Sequence, residues 1–165
     1  MKLELTHTYA CSTEELLRFF VEPEMIQQKY EALGCQRVRI PQHLAEPSGV
    51  ALSTKREVTS NVPAVLKRLL GSQNLVKQVE EWQLDRAPLY RCEMSVELVG
   101  VPIKITGTMV FEPAKQGCVN RVEMQMKSAL PFIGNKLTRF VHDEIERMAN
   151  AEWHYLQTQL TTEPA

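Results

Sequence analysis

The sequence lacks most of the features that make a function easy to read. No apolar run approaches the roughly 18 residues needed to cross a bilayer as a helix, so no integral membrane segment is expected. There is no run of Lys and Arg; 19 basic residues face 20 acidic ones for a net charge of -1, which argues against nucleic acid as a partner. Cysteine is scarce and scattered. Cys11, Cys35, Cys92 and Cys118 form no CxxC pair and have no close histidine, which fits neither a zinc site nor a disulfide scaffold. They read as reduced, packed thiols of a cytoplasmic protein. The opening MKLELTHTYA alternates like a strand and has no signal-peptide pattern.

Catalytic signatures are missing too. No GxSxG elbow, HExxH pair or glycine-rich phosphate loop occurs, so no catalytic residue and no cofactor is assigned. His142 with Glu146, and Asn150 with His154, stand one helical turn apart. Without a third ligand they read as a solvated helix face, and no metal is expected.

What is present is an ordinary globular composition, 44% hydrophobic and 24% charged, in a chain of 165 residues. That length fits a single domain, over residues 1–160, with a short tail at 161–165. Charge is mildly polarised: residues 34–79 are basic, the first thirty and the last helical stretch acidic.

Residues 2–10 alternate as a half-buried strand, with Leu3, Leu5, His7 and Tyr9 on one side. Ser12 and Glu15 form a capping box ahead of Leu16, Leu17, Phe19 and Phe20, the apolar face of a short helix. Pro23 opens a second helix that carries Met25, Ile26, Tyr30 and Leu33 inward and ends at Gly34. Two strands follow, at 37–43 and 50–60, joined by the turn-forming AEPSG.

The stretch NVPAVLKRLLG spaces Val62, Val65, Leu66, Leu69 and Leu70 like a short amphipathic helix. Four more strands are expected at 75–84, 89–99, 103–111 and 119–127, with short connections that imply an antiparallel meander. The chain then passes through SALPFIGNKLTRFV into a long helix from 135 to about 160. This order predicts an α+β domain, a strongly curved seven-stranded antiparallel sheet wrapped around one long C-terminal helix, with two short helices after the first strand.

Period-two alternation assigns side chains to the face toward that helix. Leu98, Ile105, Met109, Phe111, Met124 and Met126 come from the later strands, and Val141, Ile145 and Met148 from the helix. Phe132 sits where the chain enters the helix; there Pro131 fixes the backbone, Gly134 permits a sharp entry, and a hydrophobic staple is the alternative to a gate. A wall rich in methionine suits a pocket of adaptable shape as well as an ordinary core.

The earlier strands mix polar groups into the same faces: Arg56 beside Leu52 and Val58, and Gln78 and Glu80 beside Val76 and Trp82. With His7 they could form a polar end to an apolar pocket, Arg56 holding a carboxylate or hydroxyl and His7 or Glu80 carrying a proton. A β-bulge would instead turn Arg56 and Glu80 to the solvated rim.

The segments ELTHTYACSTEELLRFFVEPE and KYEALGC, VPAVLKRLLG and VKQVEEW, then GVPIKITGTMVFEP and LPFIGNKLTRFV, in that order, span nearly the whole chain. On them the sequence resembles the START-like, helix-grip (SRPBCC) superfamily, and within it the bacterial family called domain of unknown function 2505. The resemblance implies a cavity between sheet and helix that in related families takes sterols, phospholipids, polyketides or hormones.

The expected function is therefore a binding or carrier protein, monomeric or homodimeric, for a hydrophobic or amphipathic small molecule. Two other functions fit the pattern: a cyclase/aromatase-like enzyme using the same cavity, and an interaction module with a closed core that docks through residues 61–71 or the basic segment.

Overall fold

The computed structural model describes residues 1–162. Strand β1 (Lys2–Tyr9) buries alternate residues, and Ser12 then caps α1 (Thr13–Val21), its Oγ accepting the Glu15 N–H at 3.1 Å. Pro23 occupies the first turn of α2 (Pro23–Ala32), where its missing N–H costs nothing. Gly34, at a φ of 88°, then lets the chain leave the helix in a conformation that disfavours side chains.

The chain next runs as a meander: β2 (Gln36–Glu46), β3 (Gly49–Thr59), β4 (Gln73–Gln83), β5 (Tyr90–Leu98), β6 (Lys104–Ala114) and β7 (Gly117–Lys127). All neighbours are antiparallel, and β1 closes the far side by pairing with β7, giving the order β1-β7-β6-β5-β4-β3-β2. The predicted seven-stranded sheet is thus present. Helix α3 (Gly134–Thr162), about 43 Å long at 1.5 Å per residue, lies against it and reaches two residues into the expected tail, the rest of which lies outside the described residues.

One element differs from expectation. The stretch NVPAVLKRLLG closes a single 3-10 turn, Ala64–Leu66, rather than a helix. Its apolar spacing is real, since Val62, Leu66 and Leu70 are buried, but Val65 is exposed. A segment fenced by Pro63 and Gly71 is too short to offset the cost of helix nucleation.

Gly107 explains part of the curvature. It pairs with Met124, and a Cβ there would lie 2.7 Å from the Glu123 carbonyl and collide with the Met124 sulfur, so the two strands approach more closely than a side chain permits. The concave face is filled at one end by α1. Phe20 packs edge-on against Phe111 at 5.0 Å between centroids, and Trp82 lies 5.1 Å from Phe111. Beyond this aromatic plug the space between sheet and α3 remains open.

Candidate cavity between sheet and long helix

Between β3 and β4, and between β4 and β5, the register is continuous, with Leu52 opposite Glu80 and Arg56 opposite Val76; the irregular pairings fall in β2. The period-two pattern therefore survives, and Arg56 and Glu80 both line the concave side instead of turning to the rim. The cavity measures about 190 Å³. Its wall is apolar over Val76, Met94, Val96, Leu98, Ile105, Met109, Val122 and Met124 of the sheet, with Phe140, Val141, Ile145 and Met148 from α3.

One end is polar, and its groups form a chain of named contacts. The Trp82 indole donates to Glu80 Oε1 at 2.9 Å, and Gln78 Nε2 donates to Glu80 Oε2 at 3.0 Å. Gln78 Oε1 in turn accepts from Arg56 Nη2 at 2.9 Å, and Arg56 Nη1 donates to Thr54 at 3.2 Å. The guanidinium lies over the Tyr30 ring at 4.2 Å. These partners of Arg56 are all neutral, and its Nε is buried with no hydrogen-bond partner.

Lys29 completes the polar end. Only 2% of its side chain is exposed, and the ammonium meets Glu152 Oε2 at 3.2 Å while resting 3.8 Å above the Phe20 ring. On the opposite side of the cavity, His7 Nε2 donates to Asn150 Oδ1 at 2.9 Å and stacks on Trp153 with centroids 5.3 Å apart. The adjacent Asn120 is buried, and its Oδ1 has no partner.

Burial pushes the Glu80 carboxyl above the ordinary carboxylate range; the Lys29 ammonium, the Trp82 hydrogen bond and Arg56 pull it back only in part. Burial likewise raises the Tyr30 phenol, with Arg56 opposing. Glu144 moves the other way. Burial would raise it, but hydrogen bonds from Arg147 and Ser60 prevail and lower it.

Of the residues singled out from the sequence, Arg56, Glu80, Gln78, His7, Leu98, Ile105, Met109, Met124, Val141, Ile145 and Met148 line this cavity. Trp82, Phe111, Met126 and Phe132 do not. Trp82 and Phe111 are spent on the aromatic plug around Phe20, and Met126 is wholly buried in the core. Phe132 is 99% exposed, because a left-handed turn at φ 68° points it away from the molecule.

Lys29, Tyr30, Asn120, Glu144 and Glu152 line the cavity without having been singled out as site residues. A signal for three of them exists: Lys29 stands on the stripe of Met25, Ile26 and Leu33, Glu152 on that of Ile145 and Met148, and Asn120 two residues before Val122. A charged or amide residue on an otherwise apolar face is that signal.

The uncharacterised protein Rv0481c of Mycobacterium tuberculosis is 20% identical over 166 residues, covering 96% of this chain and 95% of that one. Among solved structures, that of Ara h 8.0201 aligns with a TM-score of 0.67 at 12% identity, covering 99% of both chains. Protein Ms6760 of Mycobacterium smegmatis aligns at 0.62 with 12% identity, covering 97% of this chain and 90% of that one. At such identities these structures establish the fold alone, the helix-grip arrangement. The family model described as protein of unknown function (DUF2505) matches residues 4–160, and the chain belongs to that family.

Proposed function

We propose that the chain binds a small amphipathic acid, its apolar body against the methionine-rich wall and its acidic group on Arg56. The observation that carries this reading is the guanidinium itself. It lies at the cavity, its partners are neutral, and its Nε is buried without an acceptor. A buried donor of this kind is costly to leave unmade, and an anionic oxygen is the partner that a guanidinium binds most strongly.

A cavity of 190 Å³ exceeds the roughly 150 Å³ void that admits a benzene-sized molecule, which suits one or two rings or a medium aliphatic chain. Four buried cysteines in the reduced, thiol form support a reducing, cytoplasmic setting.

A catalytic reading draws on Glu80, whose raised pKa brings it toward the range useful for proton transfer in a dry site. Both its oxygens are already engaged as acceptors, which favours binding over turnover.

The test pairs native mass spectrometry of protein from its own host with calorimetric titration of decanoate and decanol. Wild type should carry a small molecule and prefer the acid, and Arg56→Met should lose that preference by roughly 10- to 100-fold, the worth of a charge-assisted hydrogen bond. Protein that is consistently empty and binds neither probe, or that binds both equally before and after the substitution, would refute the proposal. Conversion of the bound molecule, stopped by Glu80→Gln, would establish the enzyme instead.

A further inference from the structure

The stretch LPFIG is left without a role in the cavity, and its surroundings are unusual. Strand register places three connections at one end of the sheet: Val76 pairs with Leu98, Val96 with Ile105, and Lys104 with Lys127. The β3–β4, β5–β6 and β7–α3 loops therefore meet there, and Ser128 Oγ ties the last two by donating to the Pro102 carbonyl at 2.9 Å.

Phe132 projects from this end. Its neighbours close a γ-turn around it, Ile133 N–H donating to the Pro131 carbonyl at 2.7 Å, with the central φ at 68°. A bulky residue seldom adopts that backbone, and here the turn holds the ring fully in solvent. Val65, Leu75 and Val99 are exposed on the same group of loops and strand ends.

Within the loops at this end the charge is one-sided, in a chain whose net charge is -1, and the acidic groups Glu57, Glu97 and Asp143 lie just beyond them. Residues 58–79, 98–111 and 124–142 contain no Asp or Glu. They present Lys67, Arg68, Lys104, Lys127, Lys136 and Arg139, all exposed.

We infer that this end docks on an anionic lipid surface, with the Phe132 ring entering the interface and the cations meeting the headgroups. Aromatic insertion and clustered Lys and Arg are the two contributions that together hold a protein to such a surface. Six exposed Lys and Arg accompany these apolar side chains, whereas the core of a protein–protein interface is depleted in charge and in Lys above all, so the composition favours an anionic surface as the occupant.

Leu70, Asn74, Leu98 and Phe140 line the cavity from the same end. A docked molecule would thus hold that end of its cavity toward the lipid, a route for an apolar ligand to enter or leave. That consequence rests on the binding reading; the docking itself does not.

The experiment is flotation of the full chain with vesicles of phosphatidylcholine alone and of phosphatidylcholine mixed with phosphatidylglycerol, at low and high salt. Wild type should bind the mixed vesicles, in a salt-sensitive way, and leave the neutral ones. Phe132→Ser should weaken binding roughly tenfold. Lys136→Ala with Arg139→Ala should weaken it by roughly 10- to 30-fold.

Because Phe132 packs on nothing, its variant should keep the wild-type unfolding transition, which makes the loss specific. Absence of binding, equal binding to neutral vesicles, or binding unchanged in Phe132→Ser would overturn the inference. So would self-association without vesicles that Phe132→Ser abolishes, since the face would then belong to a second copy. Decanoate titration is performed without lipid, so failure here and failure of the binding reading are told apart.

Discussion

Glu152→Gln should be among the most damaging single substitutions in α3, and the structure fixes both its size and its remedy. The variant leaves the Lys29 ammonium, 2% exposed, without its carboxylate at 3.2 Å. Breaking a buried ion pair from one side costs about 3–5 kcal/mol. Glu152 is 19% exposed, so water can relax part of this, and the Phe20 ring at 3.8 Å retains some cation–π attraction. An estimate of about 2–3 kcal/mol follows.

Lys29→Met removes the charge and keeps the stem, leaving a carboxylate that can reach solvent, and should cost about 1 kcal/mol. The double variant should then be little worse than Lys29→Met alone, a coupling of about 2 kcal/mol. Urea unfolding of the four proteins measures this. In thermal unfolding Glu152→Gln should lower Tm by about 4–12 °C, taking about 2–4 °C per kcal/mol for a domain of this size. If the two substitutions add to within about 0.5 kcal/mol, the pair does not fasten α3 to α2 and the account of the polar end is wrong.

Two further perturbations probe the same architecture. Glu80 has its folded pKa raised above the ordinary carboxylate value of 4.5, so the stability contributed by its protonated form is complete below that value and is lost as pH rises through the folded one. The stability of wild type relative to Glu80→Gln, followed by urea midpoints, should therefore fall across that window; a flat difference would show that Glu80 is not desolvated. Gly107→Ala sets a Cβ 2.7 Å from the Glu123 carbonyl and should cost about 2–3 kcal/mol in chemical denaturation, with no rescue by Met124→Ala, because a backbone atom is among the obstructions. Unchanged stability would mean that close strand approach at Gly107 is not what bends the sheet.

The fold was legible because its punctuation is strong. Ser12, Pro23 and Gly34 mark element ends by backbone chemistry that tertiary contacts seldom override. The cavity was legible where the two-residue period decides a face, as at Arg56, Gln78 and Glu80, since no bulge interrupts β3 or β4.

It was not legible where a second element decides. Trp82 and Phe111 share the inward face of the lining residues, yet α1 delivers Phe20 onto them and closes that end, a docking that no strand pattern contains. Phe132, expected at the entry from the last strand into the long helix, is not among the lining residues for a different reason: a single backbone angle of 68° turns its ring into solvent.

The apolar wall and the incompletely satisfied guanidinium bear on each other energetically. At roughly 24 cal/mol per Å³, 190 Å³ of enclosed dry space would cost about 4–5 kcal/mol; this cavity is partly open, so that figure is an upper bound, to be set against the 5–15 kcal/mol that holds a typical domain together. Water offers a poor remedy along the methionine wall, because a buried water needs two to four polar partners. A chain with no use for the space could close it with larger side chains at Met94 or Met148, or with an aliphatic residue in place of Arg56, and gain stability at each step. Keeping both the void and the cation makes physical sense if one occupant answers both: an apolar body fills the volume while an acidic group accepts from Arg56 Nε. The two costs are complementary in a single amphipathic molecule, and for that reason the proposed ligand is an acid and not a purely apolar molecule.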